Sequence, residues 1–197
     1  RVLLARLGGQ EDVLIAVPVT RRDDAARRRM VGCLINTVVL RTPVGPDSPF
    51  TALLLQERAT LIAALEHREL PFQRLVEALP GERRAGGQPL SQILLQFDVA
   101  PSPRQAGGVG FRIAPLHVPR ESAWDLEWSL TDQGEGQALQ GHLAYACARF
   151  EDWVAEAMPG QLAVLLDAAT REPQQPVGLL PLLDDAQRRR MLVEWNA

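Results

Sequence analysis

The side chains best able to do chemistry in this chain are few and scattered. Its three histidines, His67, His117 and His142, are isolated from one another. Two cysteines, Cys33 and Cys147, cannot by themselves make a disulfide framework or a zinc site. Cys33 lies in an apolar stretch and reads as a small hydrophobe on a buried strand. The odd feature is the polar pair Asn36-Thr37, set inside the longest near-continuous apolar run, Met30 to Arg41. Unpaired polar groups in a core cost a few kcal/mol, so both side chains need partners. Either they cap neighbouring backbone at a bulge, or they shape the floor of a cleft. Just upstream, Thr20-Arg21-Arg22-Asp23-Asp24 and the cluster Arg27-Arg28-Arg29 form a charged loop, which is either solvated surface or the lining of a cleft.

These residues need a frame, and the hydrophobic pattern supplies one. The run from Met30 to Arg41 is too short for a membrane span, and its β-branched Val31, Ile35, Thr37, Val38 and Val39 predict a strand buried on both faces. Arg1 to Leu7 reads as the end of a helix stopped by Gly8-Gly9, and its exposed apolar face predicts further chain upstream. Val13 to Val17 is a short buried strand ended by Pro18. A helix from Pro49 to His67, with Ser48 as N-cap, buries Phe50, Leu54, Leu61 and Leu65, and Leu53 and Ile62 widen the stripe. His67 at its end suits the helix dipole. Pro71-Phe72 opens a second short helix with Phe72, Leu75, Val76 and Leu79 on its apolar face. After the polar stretch Gly81 to Gln88, strands follow at Ile93 to Phe97 and Phe111 to Leu116. Trp124 to Leu130 alternates as a strand with one wet face, with Trp124 and Trp128 packed together into the core. Gln133-Gly134-Glu135-Gly136 is a hairpin turn into a return strand carrying Leu139, Gly141, Leu143 and Tyr145, with His142 on its solvated face. In the helix from Phe150 to about Ala169, Pro159-Gly160 predicts a kink or two separate helices. Arg171 to Pro176 has linker composition, and Leu183 to Trp195 is a charged helix with Asp184 near its start.

With 197 residues, 46% of them hydrophobic, the chain fits one domain of ordinary size. Its net charge of −3 argues against both disorder and nucleic-acid binding. The sequence shows no signal peptide or membrane-spanning stretch, so the expected location is the cytoplasm.

Several landmarks, taken in order, resemble the condensation domain of nonribosomal peptide synthetases. Val31-Gly32-Cys33-Leu34-Ile35-Asn36-Thr37-Val38-Val39-Leu40-Arg41 is similar to the family's Gly-x-x-x-Asn-Thr-x-x-x-Arg motif. His67 to Val76 (HRELPFQRLV) resembles its His-Gln-Asp-x-Pro-Phe-Glu-x-Leu-Val segment, and Arg84 to Gln92 falls where the family has Arg-Asp-x-Ser-x-x-Pro-Leu-Phe-Gln. Ala123-Trp124-Asp125-Leu126 is similar to Lys-Phe-Asp-Leu, and Leu182 to Asn196 resembles the linker entering an adenylation domain. The departures are also informative. The family's catalytic signature, His-His-x-x-x-Asp-Gly, has no match in the chain; Ala85 and Gly86 replace the usual Asp and Ser; and Thr20-Arg21-Arg22 stands near the family's Ala-Gly-Arg.

The resemblance implies an α/β (α+β sandwich) fold, a chloramphenicol acetyltransferase-like lobe whose mixed sheet is flanked by helices. It implies that residues 1–172 are the C-terminal lobe of a condensation domain, without the N-terminal lobe, and that residues 173–197 are a linker towards an adenylation domain. The implied reaction joins a carrier-bound acyl or peptidyl thioester to a carrier-bound aminoacyl acceptor, in a tunnel between two lobes. No cofactor binds directly; phosphopantetheine arms of upstream and downstream peptidyl carrier proteins bring the substrates. The other implied partners are the N-terminal lobe and the adjacent adenylation domain, with no nucleic acid and no membrane. By this mapping the tunnel floor runs from about Val17 to Asn36, and a segment between Phe97 and Trp124 crosses to the other lobe. Arg22, Asn36 and Gln88 then face the tunnel, and no catalytic residue lies in the chain. Arg22 offers hydrogen bonds or a fixed charge near the substrate amide, or else pairs internally with Asp23 or Asp24; Gln88 lines the tunnel or caps its loop. Arg27-Arg28-Arg29 is a solvated loop or a contact for an acidic carrier. Two alternatives remain: an epimerisation domain of the same superfamily, which the adenylation-type linker argues against, and a non-catalytic module that docks carrier proteins. An isolated lobe with its inter-lobe face and first helix exposed is expected to be marginally stable.

Overall fold

The computed structural model describes residues 1–79, 90–100, 104–106, 109–111 and 122–193. In chain order the elements are α1 (Val2–Gly8), β1 (Asp12–Thr20), α2 (Ala25–Arg28), β2 (Ile35–Pro43), α3 (Phe50–Glu66), α4 (Phe72–Ala78) and β3 (Ile93–Val99). Then come β4 (Arg104–Ala106), β5 (Val109–Phe111), β6 (Leu126–Asp132), β7 (Gln140–Tyr145), α5 (Asp152–Arg171), a 3-10 turn (Val177–Leu179) and α6 (Asp185–Leu192). Five strands form one mixed sheet in the order β2-β1-β3-β6-β7, and β4 and β5 pair separately. β1 runs antiparallel to β2 and parallel to β3; β3 is parallel to β6, and β6 antiparallel to β7. This is the mixed sheet flanked by helices that the sequence resemblance implies.

Period-two alternation assigns the faces. Val13, Ile15, Val17 and Val19 stand opposite Thr42, Leu40, Val38 and Asn36, so all eight share one face. That face packs against α1, α3 and α5. Val2, Leu3, Met158 and Leu165 join Val13, Ile15, Leu126 and Trp128 in one cluster, while Leu61, Ala64 and Leu65 of α3 cover Val19, Val38 and Leu40. The other face carries Leu14, Ala16, Val39 and Leu94, which join neither cluster.

Several expectations are corrected. The apolar run is not a strand buried on both faces. β2 begins only at Ile35, lies at the sheet edge, and leaves Met30, Val31 and Ile35 exposed. Cys33 lies before the strand and is exposed, so it is no core hydrophobe. The apolar face of α1 is buried through Val2, Leu3 and Ala5 rather than showing, which removes one expected source of instability. Pro18 does not end β1. The bonds Arg21 N to Leu34 O and Val44 N to Glu11 O assign the odd-numbered residues of β1 to the β2 ladder. Pro18 therefore turns its missing N–H towards β3, where the ladder is recorded only at Ala16. In α3, Leu53 rather than Leu54 is buried, and Pro49 rather than Ser48 is the N-cap. The inward stripe of α3 includes the polar Glu57 and Thr60, which hydrophobicity alone passes over. Glu57 pairs with Arg1 at 2.7 Å, and Thr60 Oγ1 accepts from the buried Thr42 hydroxyl at 3.2 Å. β6 has no wholly wet face at its start, because Leu126, Glu127 and Trp128 are all buried; Glu127 accepts from Ser122 Oγ at 2.8 Å. α5 runs as one helical element through Pro159, its inner residues Ala155, Met158, Leu165 and Ala169 buried. The expected strand at 111–116 lies largely outside the described residues.

The hairpin is as expected: Gly134 and Gly136 adopt φ of 99° and 74°, and Asp132 Oδ1 accepts from Gly134 N at 2.9 Å. Asp184 caps α6 with a capping box to Gln187. Gly141 is tightly enclosed, since a Cβ there would lie 2.6 Å from Leu130 Cδ2 and 2.7 Å from Ser129 O. Gly141→Ala is expected to cost about 2 kcal/mol by forcing β6 and β7 apart, and a urea titration with an unchanged midpoint would contradict this packing.

Candidate functional site

At the end of the sheet where β1 leaves and β2 enters, the charged loop folds onto the corner between α3 and α4. Asn36 is the joint. Its Nδ2 donates to Arg68 O at 2.8 Å and Leu70 O at 2.7 Å, and its Oδ1 accepts from Phe72 N at 3.2 Å. One side chain thus holds the turn after α3 and satisfies an orphan N–H at the start of α4. The capping is real, but it reaches across 32 to 36 residues rather than to a local bulge.

Arg22 works inside the loop. Its guanidinium donates to Arg27 O at 2.9 Å, Met30 O at 2.7 Å and Gly32 O at 2.8 Å. The loop wraps around this fixed cation, while Asp23 and Asp24 pair with Arg27 and Arg68. Asp24 also caps α2 by accepting from Arg27 N at 2.7 Å. Of the three residues expected at the tunnel, the structure brings Arg22 and Asn36 to one corner, with their polar groups turned to main chain. Gln88 lies outside the described residues, as does most of the expected crossing segment.

A charge network braces the corner, and no local sequence pattern announces it. Glu69 accepts from Arg21 and, at 2.9 Å, from Arg27; Asp23 pairs with Arg68 and with Arg27. The partners are 42 to 48 residues apart in the Glu69 and Arg68 pairs, beyond the reach of any short-range signal. The Arg68 hydrogen bond holds the Asp23 carboxyl below its ordinary 3.8, and that from Arg21 holds Glu69 below 4.5. A carboxylate depressed in the folded state stabilises above its unfolded pKa, and that contribution is lost as pH falls through the folded value. Glu69→Gln is therefore expected to melt below wild type at about pH 7, with the two melting temperatures converging as pH is lowered to about 3. A gap that stays constant over that range would contradict the network.

The corner positions a loop; it does not assemble a nucleophile and base. Among the described residues no group of three or more His, Cys, Asp and Glu is placed to hold a metal ion, and no helix is long and apolar enough to cross a membrane.

A mixed five-stranded sheet with helices packed on it is the fold of solved condensation domains. The structure is similar to that of a holo four-domain nonribosomal peptide synthetase bound to AMP and glycine, with a TM-score of 0.82 and 23% identity over 95% of this chain and 15% of that one. It is similar also to the first condensation domain of the CDA synthetase, with a TM-score of 0.69 and 24% identity over 93% of this chain and 40% of that one. A sequence model of the condensation domain matches residues 1–192, and the chain belongs to that family. It is 33% identical to the dimodular nonribosomal peptide synthase of Bacillus subtilis over 210 residues, covering 99% of this chain and 8% of the synthase. It is 36% identical to the phosphinothricin tripeptide synthetase PhsB of Streptomyces viridochromogenes over 198 residues, 98% of this chain and 16% of that protein. The chain thus spans a small fraction of these curated relatives.

Proposed function

We propose that this chain is the C-terminal lobe of a condensation domain that forms an amide bond between a carrier-bound acyl or peptidyl thioester and a carrier-bound aminoacyl acceptor. The observation that carries the reading is the family match over residues 1–192, together with the 39–42% that the chain covers of several solved condensation-domain chains. In this reading residues 1–172 are the lobe, and residues 173–197 lead towards an adenylation domain. The partners are the N-terminal lobe, two peptidyl carriers that present phosphopantetheine arms, and the adenylation domain. The setting is the cytoplasm.

The chemistry follows from that division. The upstream lobe supplies His-His-x-x-x-Asp-Gly, whose second His positions or deprotonates the acceptor amine. This lobe supplies the floor. Arg22 serves the tunnel by gathering the carbonyls of the 27–32 loop, and Asn36 by holding the turn between α3 and α4 against the sheet; Gln88, outside the described residues, is the third residue assigned to the tunnel in this reading. Holding two tethered reactants in line is worth up to about 7–11 kcal/mol, so a rigid floor contributes through geometry and not through acid-base chemistry. Replacing the second His of the upstream signature is the test. Loss of the acceptor-bound product with carrier binding intact supports the reading. An unchanged yield, or an upstream segment with no such signature, overturns it in favour of a carrier-docking module.

A further inference from the structure

Among the described residues, Leu90 is the one non-glycine with a left-handed backbone, at φ of 67°. In that region the Cβ crowds the following carbonyl oxygen. Leucine has no polar side chain to offset this, as Asn does, so the conformation carries strain. Such strain persists only where the surrounding structure over-determines the residue, and it collects at working sites.

The next residue does the over-determining. Ser91 is wholly buried; its hydroxyl donates to Leu14 O of β1 at 3.0 Å and accepts from Ile93 N at 3.2 Å. Gln92 O then accepts from Leu126 N of β6 at 3.2 Å, and Leu94 pairs with Ala16. Directly after Leu90 the chain is thus tied to β1 on one side and β6 on the other. The tie to β1 counts for more because the β1–β3 ladder is recorded only at Ala16, and Pro18 has no N–H to give. Pro89-Leu90-Ser91-Gln92 stands where the family segment reads Pro-Leu-Phe-Gln, so the hydroxyl clamp is a departure of this chain from that pattern.

We propose that Leu90 is a positioning residue: its left-handed turn, clamped by Ser91, aims the chain that enters β3, and condensation depends on that aim. The inference rests on the reading of this lobe as a tunnel wall, in which residue 88, two positions before the turn, is assigned to the tunnel. Because Ser91 to Leu94 are held by β1 and β6, a change at Leu90 alters the direction of approach and leaves the strand in place.

The test uses the polypeptide extended upstream through the other lobe, with donor-loaded and acceptor-loaded carriers, at a temperature where calorimetry shows every variant folded. Leu90→Ile keeps the side-chain volume but puts a β-branched residue where φ is positive, which such residues resist. It is expected to lower kcat several-fold and to leave KM for the acceptor-loaded carrier unchanged. Leu90→Asn, which takes the left-handed region readily, is expected to keep the wild-type kcat. Ser91→Ala removes the clamp, and its kcat is expected to fall as in Leu90→Ile. An unchanged kcat in Leu90→Ile or in Ser91→Ala, an effect on KM alone, or an equal loss in Leu90→Asn and Leu90→Ile overturns the proposal while the condensation reading stands. A wild-type polypeptide that transfers nothing overturns that reading and the role of Leu90 with it.

Discussion

Asn36→Ala is expected to lower the unfolding free energy by about 3 kcal/mol, because it strips partners from two carbonyls and one N–H at once. Each buried group left unpaired costs about 1–3 kcal/mol, and the corner is only partly buried, so the lower end applies to each. For a domain of this size that corresponds to a fall in Tm of about 6–12 °C. Asn36→Asp is expected to be at least as damaging. It keeps the shape and the acceptor but turns a carboxylate towards Arg68 O and Leu70 O, where two donors are required. Differential scanning calorimetry of both variants checks this, with hydrogen exchange at Leu70 to Leu75 reporting the loosened start of α4. If Asn36→Asp melts with wild type, the clasp is not holding the corner. Because Arg21, Asp23 and Arg27 reach the same corner through Arg68 and Glu69, the loop from residue 21 to 34 is expected to loosen with it.

The second large effect lies in a segment whose composition reads as linker. Leu180 is fully buried among residues of the main cluster, so Leu180→Ala is expected to cost about 3 kcal/mol. Ending the chain after residue 172 goes further. It removes Val177 and Leu180 from the core and takes away the acceptors of Phe50 N and Thr51 N, the first two donors of α3. The expected loss of about 5 kcal/mol or more is comparable with the whole stability of many domains. Urea titration of the two forms decides the matter. A truncated chain that unfolds at the wild-type midpoint would mean that residues 173–180 are a passive tether.

The same segment also shows why part of the fold was not legible. Arg171 to Pro176 is rich in Pro and Gln, which signals a connection, and the signal is correct for the local backbone. What the composition cannot convey is that Val177 and Leu180 join the core beside α1, where the Arg6 side chain meets a carbonyl 174 residues further along the chain. Where an element's partners are its own sequence neighbours, the reading succeeds: the Gly9 stop of α1, the Gly134–Gly136 hairpin and the Asp184 cap are all as expected. Where the deciding partner is distant, it fails. Met30 to Leu34 carry strand-like residues, but Arg22 gathers the carbonyls of Arg27, Met30 and Gly32, so the segment becomes a loop. At Asn36 the pattern raises the right question, a polar group needing partners, and cannot name Arg68, Leu70 and Phe72 as the answer.

In the proposed function this lobe is one wall of an amide-forming site whose chemistry resides upstream. The most direct measurement is intact-protein mass spectrometry of a condensation reaction with one donor-loaded and one acceptor-loaded carrier. It compares this chain with the same polypeptide extended upstream through the other lobe. Only the extended polypeptide is expected to transfer the donor to the acceptor amine, leaving the product on the acceptor carrier. Product formation by this chain alone would contradict that division of labour, as would carrier binding by both forms with no transfer by either.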